Sequence, residues 1–364
     1  MKRILSAALV LICTLGFAAC GSNTNNPATD SDFPPALIGS AASDSNLPPL
    51  PTAAASDSDL PPAPTEPAPD TELPITINVM NGSTGFGMAK LISDAAAHRA
   101  ALNYSISVES DASVVTAALI SGSVDIAVIP TNAAANVYNK TEGGVLAAAE
   151  VVRGNLYLLQ NTETENITFV SDLEGKTVYA PAQNPSFIFN YIALENGLDL
   201  TADNSFAEPA ALRDALTGGL ADLAVLPEPM VTIAMAGNEN ISIALDLSEV
   251  WRNAAGGDIV LGCVAVRSAF AEEHPAELAA FLADYAESVR FLEDDPAAGA
   301  QLIADTGIFG QATVAEKAIP RCGLCFVTGE RMKAELGAYL EALYSVAPAA
   351  VGGALPAEDF YYLG

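Results

Sequence analysis

Ala118-Leu119-Ile120-Ser121-Gly122-Ser123-Val124-Asp125-Ile126-Ala127-Val128-Ile129-Pro130 returns downstream as Ala215-Leu216-Thr217-Gly218-Gly219-Leu220-Ala221-Asp222-Leu223-Ala224-Val225-Leu226-Pro227. Both read Ala-Leu-x-x-Gly-x-x-Asp-(Ile/Leu)-Ala-Val-(Ile/Leu)-Pro. Each is the end of a helix, a glycine stop, and a short apolar strand cut off by proline. A strand that is apolar throughout, with no alternation, belongs in a sheet buried on both faces, as in parallel α/β folds. Two such units predict two α/β domains built to one plan.

The flanking sequence fits that plan. Strands are expected over 75–80, 105–109, 155–160 and 263–266, with a turn and strand over 172–180. Helices are expected over 88–100, 114–120, 187–197, 230–236, 275–292, 296–303, 314–319 and 329–344. Pro275 and Pro296 stand at first-turn positions, where a missing N–H costs nothing.

The chain opens on Met1, Lys2 and Arg3, then an apolar run over 4–17, then Ala18-Ala19-Cys20-Gly21. A basic head, a short apolar stretch and small residues before a cut describe a secretory signal over 1–20. The apolar run is too short to span a bilayer. The cysteine at the cut resembles a bacterial lipobox, with Phe17 where leucine is usual, which implies a lipid on Cys20 and an extracytoplasmic, membrane-anchored chain. Residues 21–72 lack hydrophobic periodicity and are rich in Ser, Asp, Asn, Ala, Thr and Pro, so a disordered tether is expected there. Three degenerate repeats, Ser31-Asp32-Phe33-Pro34-Pro35, Ser45-Asn46-Leu47-Pro48-Pro49 and Ser58-Asp59-Leu60-Pro61-Pro62, make it a semi-extended spacer.

The net charge is -29. That argues against nucleic acid, whose phosphates need clustered Lys and Arg. Beyond Cys13 and Cys20 the cysteines are Cys263, Cys322 and Cys325. A bridge from Cys263 to Cys322 or to Cys325 is allowed outside the cytoplasm, and the sequence does not choose between them. Cys322 and Cys325 have CxxC spacing but lack the strand-to-helix context of a redox motif. A zinc site lacks ligands, since His98 and His274 are the only histidines and both sit in helix-like sequence. No HExxH, GxSxG or Walker A motif is present, so neither an enzyme nor a cofactor is expected.

The chain resembles the solute-binding lipoproteins of ABC importers, of the type II periplasmic-binding-protein fold. Within them it is similar to the branch of nitrate, taurine and sulfonate binders and of pyrimidine-precursor binders for thiamine synthesis. The match rests on Cys20, the Gly82-Ser83-Thr84-Gly85 opening, the Asp125 and Asp222 motifs, Asp172-Leu173-Glu174-Gly175-Lys176-Thr177-Val178, Pro227-Glu228-Pro229 and Glu273-His274-Pro275. The resemblance implies two Rossmann-like α/β lobes with a ligand cleft between them. Lobe one would take 73–163 and 262–364, and lobe two 164–261. Hinges near Asn161 and Gly262 would let the lobes close on a small molecule. The implied partners are an ABC importer permease with its ATPase, and the chain would work as a monomer.

Open α/β sheets bind at the carboxyl ends of their strands, where helix N-termini gather. Four loops satisfy that rule. Gly82, Ser83, Thr84 and Gly85 offer N–H groups and two hydroxyls. Thr131 and Asn132 offer a hydroxyl and an amide. Gln183, Asn184, Ser186 and Phe187 open the first helix of lobe two. Glu228 offers a carboxylate to an amine or aminopyrimidine. Phe86, Phe187 and Trp251, the sole tryptophan, are the aromatic candidates for stacking on a flat ligand. A surface interaction or sensory lipoprotein reusing the fold is the alternative to transport, and a neighbouring permease gene would separate the two.

Overall fold

The computed structural model describes residues 68–364; Cys20, the expected signal and nearly all of the expected tether lie outside the described residues. Nine strands follow in order among them. They are β1 (Pro74–Met80), β2 (Asn103–Glu109), β3 (Ile126–Pro130), β4 (Val145–Arg153), β5 (Leu156–Asn161), β6 (Leu223–Pro227), β7 (Ile241–Asp246), β8 (Val260–Arg267) and β9 (Leu324–Val327). They form a six-stranded sheet in the order β2-β1-β3-β8-β4-β9 and a three-stranded sheet in the order β6-β5-β7.

The duplicated motif takes the same local form twice. The helix Ala112–Ser121 ends at Gly122 with φ 73°, and β3 follows. The helix Pro209–Thr217 ends at Gly218 and Gly219, and β6 follows. Ile126, Ala127, Val128, Ile129, Leu223, Ala224, Val225 and Leu226 are all buried, as strands without alternation require. The repeated pattern has a structural job at its aspartates. Asp125 accepts from the Thr76 N–H at 2.9 Å, the Thr76 hydroxyl at 2.7 Å and Arg267 Nη2 at 2.8 Å. Asp222 accepts from the Thr164 hydroxyl at 2.6 Å. Each carboxylate pins the foot of its strand to neighbouring chain.

Pairing is mixed rather than purely parallel. β2-β1-β3 is parallel, but β8 runs antiparallel to both β3 and β4, and β9 antiparallel to β4. In the second sheet β5 is antiparallel to β6 and β7. The expected strand at the end of 172–180 is reduced to one residue, Tyr179, which bridges Asp203 and Ala224 in parallel. The expected helix over 88–100 closes early, as Ala89–Ala96, and His98 turns left-handed at φ 54°.

The antiparallel members exist because the chain crosses between sheets and comes back. The outgoing crossing was expected near Asn161. It lies at Gly154-Asn155, since β5 is the middle strand of the second sheet. The return precedes Val260, and Gly262 already pairs with Pro130 and Val152 in the first sheet. A chain that leaves and re-enters inserts its returning strand, β8, between β3 and β4, which is the type II arrangement.

Burial alternates with period two. Ile77, Ile126, Val128 and Val264 pack on Leu278, Phe281 and Tyr285 of the helix Pro275–Asp294. Ala127, Ile129 and Cys263 face the other way, into an apolar body shared with Leu158 and Val225 of the second sheet. The two lobes are thus welded along one side by a common core.

The three cysteines past Cys20 are unpaired, so the bridge from Cys263 to Cys322 or Cys325 is not formed. Cys263 sits in that shared core, whereas Cys322 packs with Phe86, Leu292 and Ile319. Cys325 is inside β9, separated from β8 by β4. Burial pushes the Cys263 thiol up to about 12. Among the described residues no helix is long and apolar enough to cross a membrane.

Candidate functional site

The helix Thr131–Thr141 starts directly after β3, and the helix Asn184–Glu195 starts just beyond Tyr179. Their first turns face each other across the lobes and flank a cavity of about 470 Å³. The helices Ala112–Ser121 and Thr131–Thr141 form its first-lobe wall, and Gln183 and Phe187 its second-lobe wall. Ser113, Thr116, Asn132, Asn136, Lys140 and Gln183 supply its polar groups. Of the sequence candidates, Asn132, Gln183 and Phe187 therefore line one cavity.

Thr131 and Asn184 are the chain neighbours of the lining residues Asn132 and Gln183, and both hold a polar atom without an ordinary partner. Thr131 is fully buried, and its hydroxyl has no nitrogen or oxygen partner. It faces the Cys263 thiol, a weak partner. Asn184 Oδ1 is likewise buried with no partner. Native proteins rarely leave such groups unpaired, since each costs about 1–3 kcal/mol. Five buried side-chain atoms among the described residues are in this condition. Two of them lie at strand-end loops on opposite lobes, beside one cavity. Gln183 adds a strained backbone, at φ 72° with a full side chain, and such strain concentrates at binding sites.

Other candidates are placed elsewhere. Phe86 is core, packed with Ala300, Ile303 and Ile308 and 6.2 Å from Phe309. Trp251 is also core, with its ring 4.6 Å from Tyr191 and 5.8 Å from Tyr339. Neither ring is offered to a ligand. Gly85 is a packing glycine, because a Cβ there would lie 2.2 Å from the Met80 carbonyl. The Gly82 N–H is engaged by the Ile308 carbonyl at 3.2 Å, and Ser83 Oγ accepts from Asn155 Nδ2 at 2.7 Å. Thr84 is half-buried, with its methyl against Gly262. Ser186 is buried inside lobe two, 3.4 Å from Asn204 Oδ1.

Glu228 does not wait for a ligand amine. Its side chain is buried, and Oε1 accepts from Arg321 Nε at 2.6 Å and from the Thr232 hydroxyl at 3.0 Å. Oε2 accepts from the Thr232 N–H at 3.0 Å. Arg321 comes from the other lobe, just ahead of β9, and the Tyr157 hydroxyl donates to its carbonyl at 3.1 Å. Asn155, at φ 61° in the crossing, joins the same junction by accepting the Glu228 N–H at 2.8 Å.

Arg321 and Asn155 line a second cavity of about 430 Å³ together with Arg153, Arg252 and Asp258. Arg153, at the end of β4, pairs with Glu150 and with Glu335 of the helix Gly329–Val346. It also lies 3.7 Å from Asp258, which holds Arg252 Nε at 2.9 Å. The Glu150 side chain is fully buried. Burial pushes its carboxyl up to about 7; Arg153 opposes the rise, and the Glu335 carboxylate adds to it. Every guanidinium here already has a carboxylate.

Arg321, Asn155, Asn136 and Lys140 are missing from the sequence reading. Asn132, Asn136 and Lys140 do carry a signal, since they fall at i, i+4 and i+8 on one helix face. That signal needs a helix over 131–141, where the sequence reading has only Thr131-Asn132 after a strand.

No family model matches the chain, and no curated protein matches it. Solved structures do. An ABC transporter structure from Parabacteroides distasonis is similar at TM-score 0.68 and 23% identity, over 80% of this chain and 99% of that one. The periplasmic aliphatic sulphonate binding protein of Escherichia coli is similar at TM-score 0.62 and 15% identity, over 79% and 92%. A Candida albicans gene product described as having the generic periplasmic binding protein fold is similar at TM-score 0.51 and 13% identity, over 79% and 93%. The chain has the two-lobed periplasmic-binding-protein fold.

Proposed function

We propose that this chain is an extracytoplasmic solute-binding lipoprotein that closes on a small polar molecule and delivers it to an ABC importer permease. The observation that carries the reading is the pair of buried groups without a nitrogen or oxygen partner, Thr131 Oγ1 and Asn184 Oδ1, on opposite lobes beside one cavity. A ligand bridging the lobes would satisfy both and would bias the hinge toward closure. Phe187 gives that ligand an apolar face, while Gln183 and Asn132 orient it. Glu228 takes no part in this reading, because Arg321 engages it. The lipid on Cys20 and the tether over 21–72 would hold the lobes near a membrane-embedded permease.

The test is thermal unfolding of the full mature protein in a small-molecule extract of the source cells. A solute at about a thousand times its Kd adds roughly 4 kcal/mol, a rise of several degrees. No rise, together with an empty protein in native mass spectrometry, refutes solute capture. Acylation is tested apart, because Cys20→Ser should abolish incorporation of labelled palmitate.

A further inference from the structure

We infer that the captured solute is an uncharged molecule that donates hydrogen bonds through hydroxyl or N–H groups, and is neither an oxyanion nor a cation. The inference rests on the solute-capture reading above and names the chemistry of the same site.

The buried amide oxygen beside the cavity needs a donor. Asn184 buries the acceptor end of its amide without a donor. Asn132 Nδ2 already donates to the Ala350 carbonyl at 3.3 Å, and Asn136 Nδ2 to the Ala349 carbonyl at 3.4 Å. Each of these two side chains keeps its amide oxygen and one remaining N–H. The Thr131 hydroxyl can either donate or accept. A ligand made only of acceptors, such as a sulfonate or nitrate, would set oxygen against oxygen at Asn184 and leave it unpaired. A ligand carrying O–H or N–H groups supplies the donor that Asn184 Oδ1 lacks and suits Thr131 in either role.

Charge points the same way. No carboxylate lines the cavity, and its one charged lining residue is Lys140. Lys140 is exposed and stands eight residues along its helix from Asn132, about 12 Å away. It is a rim residue, while the buried groups lie at the other end. Glu228, the one carboxylate among the sequence candidates, is engaged by Arg321 at 2.6 Å. A cationic solute would therefore enter a buried site with no counter-charge, which is costly. Sites built to hydrogen-bond an O–H or N–H group reject analogues that lack it, because their own polar groups are then left bare.

The test separates a small-molecule extract into cationic, anionic and neutral fractions on ion exchangers. Each fraction is added to the full mature protein, and thermal stabilisation is read. Stabilisation should come from the neutral fraction. It should need roughly ten- to hundredfold more of that fraction with Thr131→Val or Asn184→Ala, each of which removes one polar group. Asn184→Asp keeps the acceptor and adds a charge, so it should move stabilisation toward the cationic fraction; this gain of response survives even if the alanine variant folds poorly. Stabilisation confined to the anionic or cationic fraction overturns the assignment and leaves solute capture standing. No stabilisation by any fraction overturns both.

Discussion

Replacing Glu150 with glutamine should remove a specific pH dependence from the stability of this protein. The Glu150 side chain is fully buried in β4, and burial raises its carboxyl from 4.5 to about 7. The sign follows from proton counting. In the unfolded chain the carboxyl loses its proton near its ordinary value, whereas in the folded chain it keeps it to about 7. Between those limits the folded state binds more protons, so stability falls as pH rises through the window and is flat above it. Holding the proton from 4.5 to about 7 is worth about 3 kcal/mol at about 1.36 kcal/mol per pH unit, or roughly 6 °C in a domain of this size. The assay is urea unfolding of wild type and Glu150→Gln at pH 4.5, 6 and 8. Wild type should lose about 3 kcal/mol more than the variant between the two ends. Carboxylates with lowered pKa, such as Asp94 and Asp172, slope the other way in both proteins and cancel in the comparison. Parallel curves for the two proteins would refute the reasoning, because Glu150 would then be ionised throughout or accessible to water.

Arg321→Ala strands the buried Glu228 carboxylate and should destabilise by about 3 kcal/mol, whereas the double variant with Glu228→Gln recovers part of the loss; chemical denaturation checks both. Gly323→Ala should prevent folding or cost more than about 3 kcal/mol, since its Cβ would stand 1.8 Å from the Arg153 carbonyl oxygen at a φ of 61°; soluble yield and circular dichroism decide it. Asp125→Ala should cost about 2–3 kcal/mol near neutral pH through lost bonds to Thr76 and Arg267. Burial works against ionised Asp125, yet Arg267 and Thr76 hold its carboxyl below its ordinary value. That contribution is present above the ordinary value and fades as pH falls, so the gap between variant and wild type should narrow in acid.

The sequence alone determined the repeated helix–glycine–strand units, the burial of β3 and β6 on both faces, and the strand ends at which the candidate loops lie. These are local properties. A glycine stop, an uninterrupted apolar run and a closing proline act within a dozen residues and need no distant partner. Placing Asn132, Gln183 and Phe187 followed from the same logic, because helices that begin after strands must present their first turns at the sheet's edge. The tertiary structure alone decided the rest. β5 joins the second sheet because of its pairing with β6 and β7, and nothing in Leu156–Asn161 itself distinguishes that from membership of the first. Glu228 looks in sequence like an acceptor awaiting a ligand. It is claimed by Arg321, 93 positions away on the other lobe. Phe86 and Trp251 resemble stacking partners by type and position, but the packing of separate helices turned both rings inward. The fold is legible because hydrogen bonding and periodicity are local, while the fate of each polar or aromatic side chain is set by whichever distant residue arrives beside it.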